Sequence, residues 1–367
     1  MKILIIADSL DDQYAGVHVY TKNMIKHLLI HDKNNNYILI RQKEDERFPL
    51  AKQIIVPKLT FLPGFASLRL FFIIPIIARL LKVNAVIEPA HFGPFNLPKK
   101  IKRITIIHDL TPIIFPHFHR FHSQLLQRIF LKRILKKSNL IIANSSHTKK
   151  DIIKHYPFTE KKVHSILLGK NNKFKPNYNS NKINRFKIEA NKYFLYLGTI
   201  EPRKNLILLL EAYTLFLQKS NASIKLVIAG SKGWKNNEFN NAIKNHPFKE
   251  NIVLTGYIEQ ESLNQLYTNA LAFIYPSFYE GFGLPILEAM TCGCPIICSN
   301  TSSMPEVVGN SGLLFNPHSA NELLKQLNHI IEKNTKSKLS KESLKQSEKF
   351  SWDIFAKKFI SILSKSF

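Results

Sequence analysis

Two glutamates flank a short glycine-containing turn in the segment FYEGFGLPILEAM, residues 278–290. Gly281 and Gly283 allow the backbone to approach a ligand closely, and a helix that begins at the following proline directs free N–H groups and the positive end of its dipole towards an anion. Glu280 lies just before this helix and Glu288 about one turn inside it, and carboxylates are good acceptors for sugar hydroxyls. The segment therefore predicts a sugar-nucleotide site. A strand-to-helix turn with solvated glutamates is the alternative.

Two cations directly precede a predicted helix in LGTIEPRKNLILLLEAY, residues 197–213. Arg203 and Lys204 oppose the dipole of that helix, whose predicted N-cap is Asn205. A bound pyrophosphate would compensate for this placement, because Arg and Lys are the side chains that bind phosphate. A phosphate clamp is one interpretation, and an ordinary solvated pair is the other.

His108 and Asp109 end a predicted buried strand in ITIIHDLTPIIFP. A His with an adjacent Asp can orient and polarise a hydroxyl, which predicts a catalytic role, whereas a lone histidine at a strand end is usually structural. Nearer the N-terminus, Gly16 lies at the start of a predicted helix after the loop in DSLDDQYAG. That loop either presents backbone amides to a ligand or only connects two elements.

Short apolar runs alternate with helix-period segments along the chain, which is typical of parallel βαβ units. Glycine closes several of the predicted strands, at the carboxyl edge where open parallel sheets bind ligands. We therefore predict an α/β protein with two doubly wound, Rossmann-like domains facing each other across a cleft, at 1–170 and 191–345. The polar, Lys- and Asn-rich stretch 171–190 is the predicted linker. The predicted strands are KILIIA, NYILI, QIIVP, NAVIEP, RITIIHD and LIIANS, then YFLYLG, IKLVIAG, NIVLTG, LAFIYPS, CPIICS and GLLFN.

The chain is strongly basic, with 52 Lys and Arg against 26 Asp and Glu and a formal net charge of +26. Such a field attracts phosphates, nucleic acid or an anionic membrane, although compositional drift explains the scattered lysines equally well. Three cysteines lie within residues 292–298, without a second cysteine pair or a nearby histidine at metal-ligand spacing. We expect them to pack as small apolar side chains in a reducing, cytoplasmic setting.

The most apolar window is LRLFFIIPIIARLL, residues 68–81. It is too short for a bilayer span, which needs about 20 residues. We expect a core helix there, with a surface that leans on a membrane as the alternative. The opening segment MKILIIADSL is expected to be a buried strand rather than a signal peptide, because Asp8 soon interrupts its apolar run.

Taken together, these segments resemble the GT-B glycosyltransferases of family 4, which are retaining enzymes that use nucleotide sugars. The resemblance covers nearly the whole chain and is most specific in PSFYEGFGLPILEAMTCGCPIICSNTSSMPEVVGNSGLLFNP, residues 276–317. There, Glu280 and Glu288 match the family's two glutamates separated by seven residues. The other matching segments are AGVHVYTKNM, HDLTPIIFP, ANSSHTKKDI, YLGTIEPRKN, LVIAGSKGW, TGYIEQESLNQLY and FSWDIFAKKF.

The resemblance implies that the second domain binds the donor. In the family pattern, Glu280 contacts the transferred sugar near the reaction centre and Glu288 holds the ribose. Lys204 matches the diphosphate-binding lysine, with Arg203 beside it. The other donor-binding positions that the resemblance implies are the amides of Phe282, Gly283 and Leu284, together with Thr199 and Tyr257.

In the first domain, His108 matches a histidine that approaches the donor sugar, and Gly16 matches the glycine of the first loop. Two positions depart from the family pattern. Thr199 stands where many members have Arg, so either Arg203 supplies the second positive charge or phosphate affinity is lower. Ala15 stands where the first loop usually has another glycine, which narrows the backbone conformations available there.

We therefore expect a retaining hexosyltransferase that moves mannose from GDP-mannose, or a hexose from a UDP-sugar, to a glycan or lipid-linked acceptor in surface polysaccharide or lipopolysaccharide synthesis. The family needs no metal or cofactor besides the donor, since Arg, Lys and a helix dipole neutralise the diphosphate. The first domain is expected to bind the acceptor, and residues 346–367 to form a helix that crosses back to it. We expect a cytoplasmic protein that either stays free or lies on the inner face of the cytoplasmic membrane.

Two alternatives come from other classes of protein. A basic nucleic-acid binder is suggested by charge alone, but the chain lacks interleaved aromatics and any recognition motif, so we expect no nucleic-acid partner. A sugar-nucleotide epimerase would share the style of nucleotide binding, and donor hydrolysis without an acceptor would favour it over transfer.

Overall fold

The computed structural model describes residues 1–12, 16–43, 47–57, 65–91, 93–94, 96–118, 121–220, 222–231 and 233–367 of the chain. The chain divides into two compact units. One comprises Met1–Gly169 with Ser351–Phe367, and the other comprises Lys170–Phe350. Each unit contains one parallel β-sheet.

The sheet of the first unit is built from seven strands. They are β1 (Lys2–Ile6), β2 (Asn36–Arg41), β3 (Lys52–Ile55), β4 (Ala85–Glu88), β5 (Lys102–Ile107), β6 (Leu140–Ala143) and β7 (Val163–Ser165). Their order is β3-β2-β1-β4-β5-β6-β7, and Ile5 in β1 lies opposite Leu39 in β2 and Ile87 in β4. The central strands are nearly continuous runs of buried Ile, Leu and Val, as expected for a parallel sheet covered on both faces.

Helices connect these strands. They are α1 (Ser9–Asp12), α2 (Gly16–His31), α3 (Phe65–Leu68), α4 (Ile74–Leu80), α5 (Thr111–Ile114), α6 (Phe121–Lys137) and α7 (Ser146–His155). The apolar window 68–81 is helical, with a π-helical turn, Arg69–Ile73, between α3 and α4. Ile74 and Ala78 are buried in the core, which confirms the core prediction for one face of the window. In the part of the chain that is described, no helix combines the length and apolar character needed to cross a membrane.

The second unit contains a six-stranded sheet. Its strands are β8 (Tyr193–Leu197), β9 (Lys225–Ala229), β10 (Ile252–Gly256), β11 (Ala272–Tyr275), β12 (Ile296–Ser299) and β13 (Gly312–Phe315). The order is β10-β9-β8-β11-β12-β13, so β8 and β11 are neighbours, with Phe194 opposite Ala272. Because both strands are parallel, the segments that leave their carboxyl ends start side by side. These two segments carry Lys204 and Glu280.

The helices of the second unit are α8 (Leu206–Lys219), α9 (Asn237–Lys244), α10 (Gln260–Asn269), α11 (Leu284–Thr291), α12 (Met304–Val308), α13 (Ala320–Ile330) and α14 (Thr335–Ser347). Cys292, Cys294 and Cys298, which follow α11, are all buried, which confirms their predicted packing as small apolar side chains. Burial raises the pKa of the Cys294 thiol to about 12, so it stays protonated at neutral pH.

The stretch 171–190, predicted to be a linker, packs instead on the second unit. The Asn177 N–H donates to Thr268 Oγ1 at 2.9 Å, and the Lys182 N–H donates to Gln265 Oε1 at 2.9 Å. Both acceptors lie on α10, and Ile183 is fully buried. Polar side chains of α10 thus bind a segment whose composition alone is typical of a flexible linker.

The last helix, α15 (Trp352–Ser366), belongs to the first unit, although the whole second unit precedes it in the chain. The Trp352 and Phe355 rings contact the Tyr20 ring of α2 at 5.9 and 5.6 Å between centroids. Four elements were not predicted: the one-turn helices α1 and α5, the strand β7 and the helix α14. β7 has three residues, and α14 is too polar to show a clear apolar period.

Candidate active site

Two serines hold the turn before α11 in a defined shape. Gly283 has φ = 97°, in the left-handed region that glycine adopts at little cost. The Glu280 N–H donates to Ser302 Oγ at 3.0 Å. Ser303 Oγ donates to the carbonyl oxygens of Glu280 and Phe282, each at 2.9 Å. The backbone of the turn is therefore fixed by contacts within the protein.

Three N–H groups at the start of α11 remain open. Within the described residues, the amides of Phe282, Gly283 and Leu284 donate to no backbone or side-chain acceptor. The first N–H groups of a helix have no partner inside it, and the helix dipole adds positive potential at the same point. The start of α11 is therefore a suitable place for an anion such as a phosphate.

Glu280 forms a buried cluster with the two cations that follow β8. Lys204 Nζ lies 2.6 Å and Arg203 Nη1 lies 3.1 Å from Glu280 Oε1. Lys204 also donates to the Tyr275 hydroxyl at 2.7 Å, and Arg203 Nη2 donates to Glu201 Oε1 at 2.6 Å. Glu280 is 8% exposed and Lys204 7%. The strand edges of β8 and β11 thus bring two acidic and two basic side chains together.

This cluster corrects the reasoning for a phosphate clamp. That reasoning required a ligand anion to balance Arg203 and Lys204, whereas Glu280 and Glu201 already balance them within the protein. The sequence analysis missed Glu201 and Tyr275. Both lie at the ends of the neighbouring strands β8 and β11, and that position is the signal by which they can be found.

The ionisation of Glu280 is controlled by its cations. Burial would raise the pKa of its carboxyl, but the charges of Arg203 and Lys204 outweigh burial and hold the pKa at about 2. Burial lowers the pKa of Lys204, and the Glu280 charge opposes that shift. A carboxylate held in its charged form is a poor proton acceptor at neutral pH. Glu280 therefore suits binding and electrostatic stabilisation better than general-base catalysis.

Glu288 has a different environment within the same turn and helix. The Tyr267 hydroxyl of α10 donates to its Oε2 at 3.3 Å. Burial raises the pKa of the Glu288 carboxyl to about 8, and the Tyr267 hydrogen bond offsets only part of that shift. Glu288 therefore carries a proton in most molecules at pH 7. A ligand that donates hydroxyl hydrogen bonds would favour its charged form.

Thr199 and Tyr257 lie at other strand ends of the same sheet. Thr199 follows β8 and is half-buried, and its carbonyl oxygen accepts from the Tyr196 hydroxyl at 3.2 Å. Tyr257 directly follows β10, the edge strand of the sheet, and is 81% exposed. In the described part of the chain, neither hydrogen-bonds to Glu280 or Glu288, and their donor-binding roles stay predictions.

Asn205 is the N-cap residue of α8, as predicted, but its side chain makes no capping hydrogen bond to the helix. Its φ is 56°, and its side-chain amide donates to the carbonyl oxygens of Pro276 and Pro317 at 3.2 and 2.8 Å. Asn205 thus ties the start of α8 to the segments that follow β11 and β13. This bond helps to fix Lys204, the preceding residue, against the sheet.

In the first unit, His108 follows β5 and is neutral. Its Nε2 lies 2.7 Å from the Pro89 carbonyl oxygen, and because a carbonyl only accepts, Nε2 carries the proton. Burial and the neighbouring His91 lower the pKa of His108 to about 3, and the Pro89 hydrogen bond with the Asp109 charge opposes only part of the shift. His108 can thus accept a hydrogen bond at Nδ1, but it does not carry charge at neutral pH.

His91 is a residue that the sequence analysis missed. Its Nε2 accepts the backbone N–H of His108 at 2.7 Å, and the two rings stack with centroids 5.3 Å apart. His91 follows β4, the neighbour of β5, so strand adjacency again carries the signal. Asp109, predicted to act with His108 on a hydroxyl, accepts from the N–H and hydroxyl of Thr111 at 2.9 and 2.7 Å at the start of α5. The Pro89 carbonyl fixes the His108 ring, and the role predicted for His108 with Asp109 stays a prediction.

Gly16 is the first residue of α2. Its predicted place at the mouth of a helix is therefore confirmed. Ala15, the other position of that loop for which a prediction was made, lies outside the described residues.

Comparison with known proteins gives the family. Residues 179–349 match the family described as glycosyl transferases group 1, and residues 14–169 match glycosyltransferase family 4. The O-antigen chain mannosyltransferase B of Escherichia coli is 31% identical over 269 residues, which are 72% of this chain and 71% of that protein. The chain belongs to the group 1, family 4 glycosyltransferases.

Other proteins are similar to this glycosyltransferase over shorter or more divergent alignments. The serotype-specific mannosyltransferase WbdA of Escherichia coli is 28% identical over 265 residues, which are 68% of this chain but only 32% of WbdA. The crystal structure of Anabaena HepE in complex with UDP-glucose has a TM-score of 0.76 at 17% identity, with 100% of both chains covered. The predicted GT-B fold class, with two parallel-sheet Rossmann-like units, is confirmed.

Proposed function

We propose that this glycosyltransferase moves mannose from GDP-mannose, with retention of configuration, to a hydroxyl of a glycan or lipid-linked acceptor of a surface polysaccharide or lipopolysaccharide. The similarity to two mannosyltransferases of Escherichia coli, one of them named for the O-antigen chain, supports this sugar and this class of acceptor. A UDP-sugar is the second candidate donor, because HepE, which has a similar fold, was crystallised with UDP-glucose.

The observation that carries the proposal is the open helix start beside the Lys204–Glu280 pair. A donor diphosphate has oxygens for the three amides that begin at Phe282, and its negative charge suits the dipole of α11. Lys204 and Arg203 lie in the segment that follows β8, the neighbour of β11, and add positive charge. A neutral ligand would leave the three amides at the start of α11 unused.

The two carboxyl groups then have separate tasks. Glu280, which stays ionised, accepts hydrogen bonds from hydroxyls of the transferred sugar. Its charge also stabilises the positive charge that develops on the sugar ring in the transition state. Glu288 accepts hydrogen bonds from the ribose hydroxyls. The bond between the anomeric carbon and the diphosphate breaks, the bond to the acceptor oxygen forms on the same face, and the leaving diphosphate takes the acceptor proton. His108 keeps the role that the family resemblance implies for it, as does Gly16.

The proposal includes no metal ion or cofactor in this reaction. Arg203, Lys204 and the α11 amides are the groups that would neutralise the diphosphate. The check is the transfer rate in excess EDTA, with MgCl2 added back in a parallel reaction. An unchanged rate supports the proposal, whereas a loss of rate that MgCl2 restores contradicts it.

A thermal-shift panel tests the donor, because a ligand that binds only the folded chain raises the melting temperature. The panel contains GDP-mannose, GDP, UDP-glucose, UDP and mannose 1-phosphate. The proposal predicts the largest shift with GDP-mannose and a smaller one with GDP. A larger shift with UDP-glucose would favour a UDP-sugar as the donor. No shift with any nucleotide sugar would contradict both candidate donors.

We also propose that the first unit contacts an anionic membrane through an apolar stripe formed by Leu68, Phe72, Ile76 and Leu80. The residues are four apart along the α3–α4 helical segment, so they share one face, and their exposed fractions run from 47% to 74%. Phe71 contacts Phe130 of α6 at 6.1 Å between ring centroids, which places α6 beside the stripe. The exposed basic side chains of α6 are Arg128, Lys132, Arg133, Lys136 and Lys137. Apolar side chains flanked by cations suit an anionic lipid surface.

Sedimentation with lipid vesicles tests this contact. The chain is expected to sediment with vesicles of mixed phosphatidylglycerol and phosphatidylcholine, but much less with phosphatidylcholine alone. The double change Phe72→Ser and Leu80→Ser should abolish sedimentation, whereas Tyr178→Ser, at an exposed residue of the second unit, should not. Equal sedimentation of both variants would contradict the proposed membrane contact. Tight retention on DNA in place of vesicles would contradict that contact and also the expectation of no nucleic-acid partner.

A further inference from the structure

We propose a divalent metal site, outside the candidate active site, formed by His27, His31 and Asp353. Both imidazoles meet one carboxylate oxygen: His27 Nδ1 lies 2.9 Å and His31 Nε2 lies 2.6 Å from Asp353 Oδ1. The three ligand atoms lie within 4.8 Å of one another. Two imidazoles and a carboxylate are a donor set that suits Zn²⁺, and also Ni²⁺ or Cu²⁺.

Two helices of the first unit supply the ligands. His27 and His31 are four residues apart in α2, so their side chains lie on one face in successive turns. Asp353 is in the first turn of α15, where Ser351 Oγ accepts its N–H at 3.1 Å. The packing of Trp352 against Tyr20 holds the two helices together independently of the polar cluster. The ligands are therefore brought together by the fold rather than by their own interaction.

The two N–O separations are close to those that a metal requires. Zn–N bonds of about 2.0–2.1 Å and Zn–O bonds of about 2.0–2.2 Å place neighbouring tetrahedral ligands roughly 3.4 Å apart. The two N–O contacts need to open by about 0.5–0.8 Å to reach that value. The Asp353 side chain is 54% exposed and can rotate to provide this space. The partly exposed cluster also leaves room for a water molecule as the fourth ligand.

A metal at this position would join the last helix of the chain to the helix that begins at Gly16. Asp353 is 326 residues from His27 in sequence, so the metal would close a loop that contains the whole second unit. Binding to the folded chain alone would stabilise the attachment of α15 by mass action. The site thus belongs to the architecture of the first unit rather than to sugar transfer.

Calorimetric titration of ZnCl2 into the full chain, freed of metal by dialysis against EDTA and then buffer, tests the site. We expect about one Zn²⁺ per chain. Loss of an outer-shell partner already weakens metal sites by about 10–100-fold, so loss of a ligand in His31→Ala should weaken binding at least about tenfold. Asp353→Asn, which keeps a hydrogen-bond acceptor for the imidazoles, should weaken it too.

The matched control is His329→Ala in the second unit. His329 Nδ1 lies 2.9 Å from Glu332 Oε2, so it forms a histidine–carboxylate pair that lacks the third ligand of the proposed site. This variant should bind Zn²⁺ like the parent chain. In a parallel melting experiment, Zn²⁺ should raise the melting temperature of the parent and of His329→Ala, but not of His31→Ala. An absence of binding, or equal affinity in His31→Ala and the parent, would overturn the proposal.

Discussion

The two glutamates of the α11 segment, eight residues apart, have opposite electrostatic environments. Glu280 lies against Lys204 and Arg203, which hold the pKa of its carboxyl at about 2. Glu288 accepts from the Tyr267 hydroxyl, and burial raises its pKa to about 8. One carboxyl is therefore charged before a ligand binds, whereas the other would gain its charge if a ligand supplied hydrogen bonds. Two identical side chains in one motif thus differ in charge, and in the proposed function they would bind a sugar nucleotide in different ways.

The largest expected effect comes from removing the fixed charge. Glu280→Gln should lower the turnover number by about 10²–10³-fold, the loss typical of one electrostatic group aimed at the transition state. Donor affinity should change less, because the diphosphate contacts remain. Initial rates with saturating donor measure this. Glu261→Gln, an exposed glutamate that pairs with Lys182, is the control and should keep the parent rate. A fall in turnover number of less than tenfold would contradict the transition-state role that we assign to the charge of Glu280.

The second prediction concerns stability on the Glu280 side of the comparison. Lys204→Met leaves a buried carboxylate without its nearest cation, which should lower the free energy of unfolding by about 3 kcal/mol. Arg203 remains and limits the loss. Urea unfolding at pH 7 measures the change, and Lys182→Met serves as the exposed control with no measurable change expected. Equal stability of the parent and Lys204→Met would mean that the buried ion pair is not formed.

The third prediction sharpens the contrast by changing stability in the opposite direction. Because the Glu288 pKa rises from 4.5 to about 8 on folding, its contribution to stability is fully present below pH 4.5 and is lost as pH rises through 8. Glu288→Gln should therefore stabilise the chain by about 2 kcal/mol at pH 8 and by little at pH 4.5. Urea unfolding at the two pH values measures this. A destabilised variant at pH 8 would show that the carboxylate is better accommodated than its burial indicates.

The smallest of the four effects is the pH dependence of donor affinity. Ribose hydroxyls favour the charged form of Glu288, so donor binding should tighten between pH 7 and pH 9 by up to about tenfold. The Glu280 pKa of about 2 adds no dependence in this range. Titrations at pH 7, 8 and 9 should therefore show a slope for the parent and a flat profile for Glu288→Gln. A slope of equal size in both would assign the dependence to another group.

Much of this account was predictable from local sequence. The strands were visible because parallel strands buried on both faces are continuous apolar runs, and α11 was visible because a proline follows the glycine turn. Because the strands were visible, the residues that follow them could be identified as candidates, namely Glu280, Lys204 and His108. The polar segment 171–190 was predicted to be a linker, but it packs on α10. Its attachment depends on hydrogen bonds, which produce no apolar periodicity in the sequence.

What could not be predicted is contact between distant residues. Lys204 and Tyr275 are 71 positions apart, so their hydrogen bond and the charge balance around Glu280 appear only when β8 and β11 are paired. The hydrogen bond between His91 and His108, and the pairing of Asp353 with two histidines of α2, arise in the same way. Residue types identified candidates for chemistry, whereas strand order and helix packing decided which of them meet.

The central claim is that the donor diphosphate binds at the open start of α11 beside the Lys204–Glu280 pair. The most direct test is calorimetric titration of GDP-mannose, and separately UDP-glucose, into the parent chain, Lys204→Met and the exposed control Lys182→Met. A lost charge-assisted contact is worth about 1.5–3 kcal/mol, so Lys204→Met should bind the nucleotide sugar at least about tenfold more weakly than the parent and the control. Equal dissociation constants for the parent and Lys204→Met would contradict the claim.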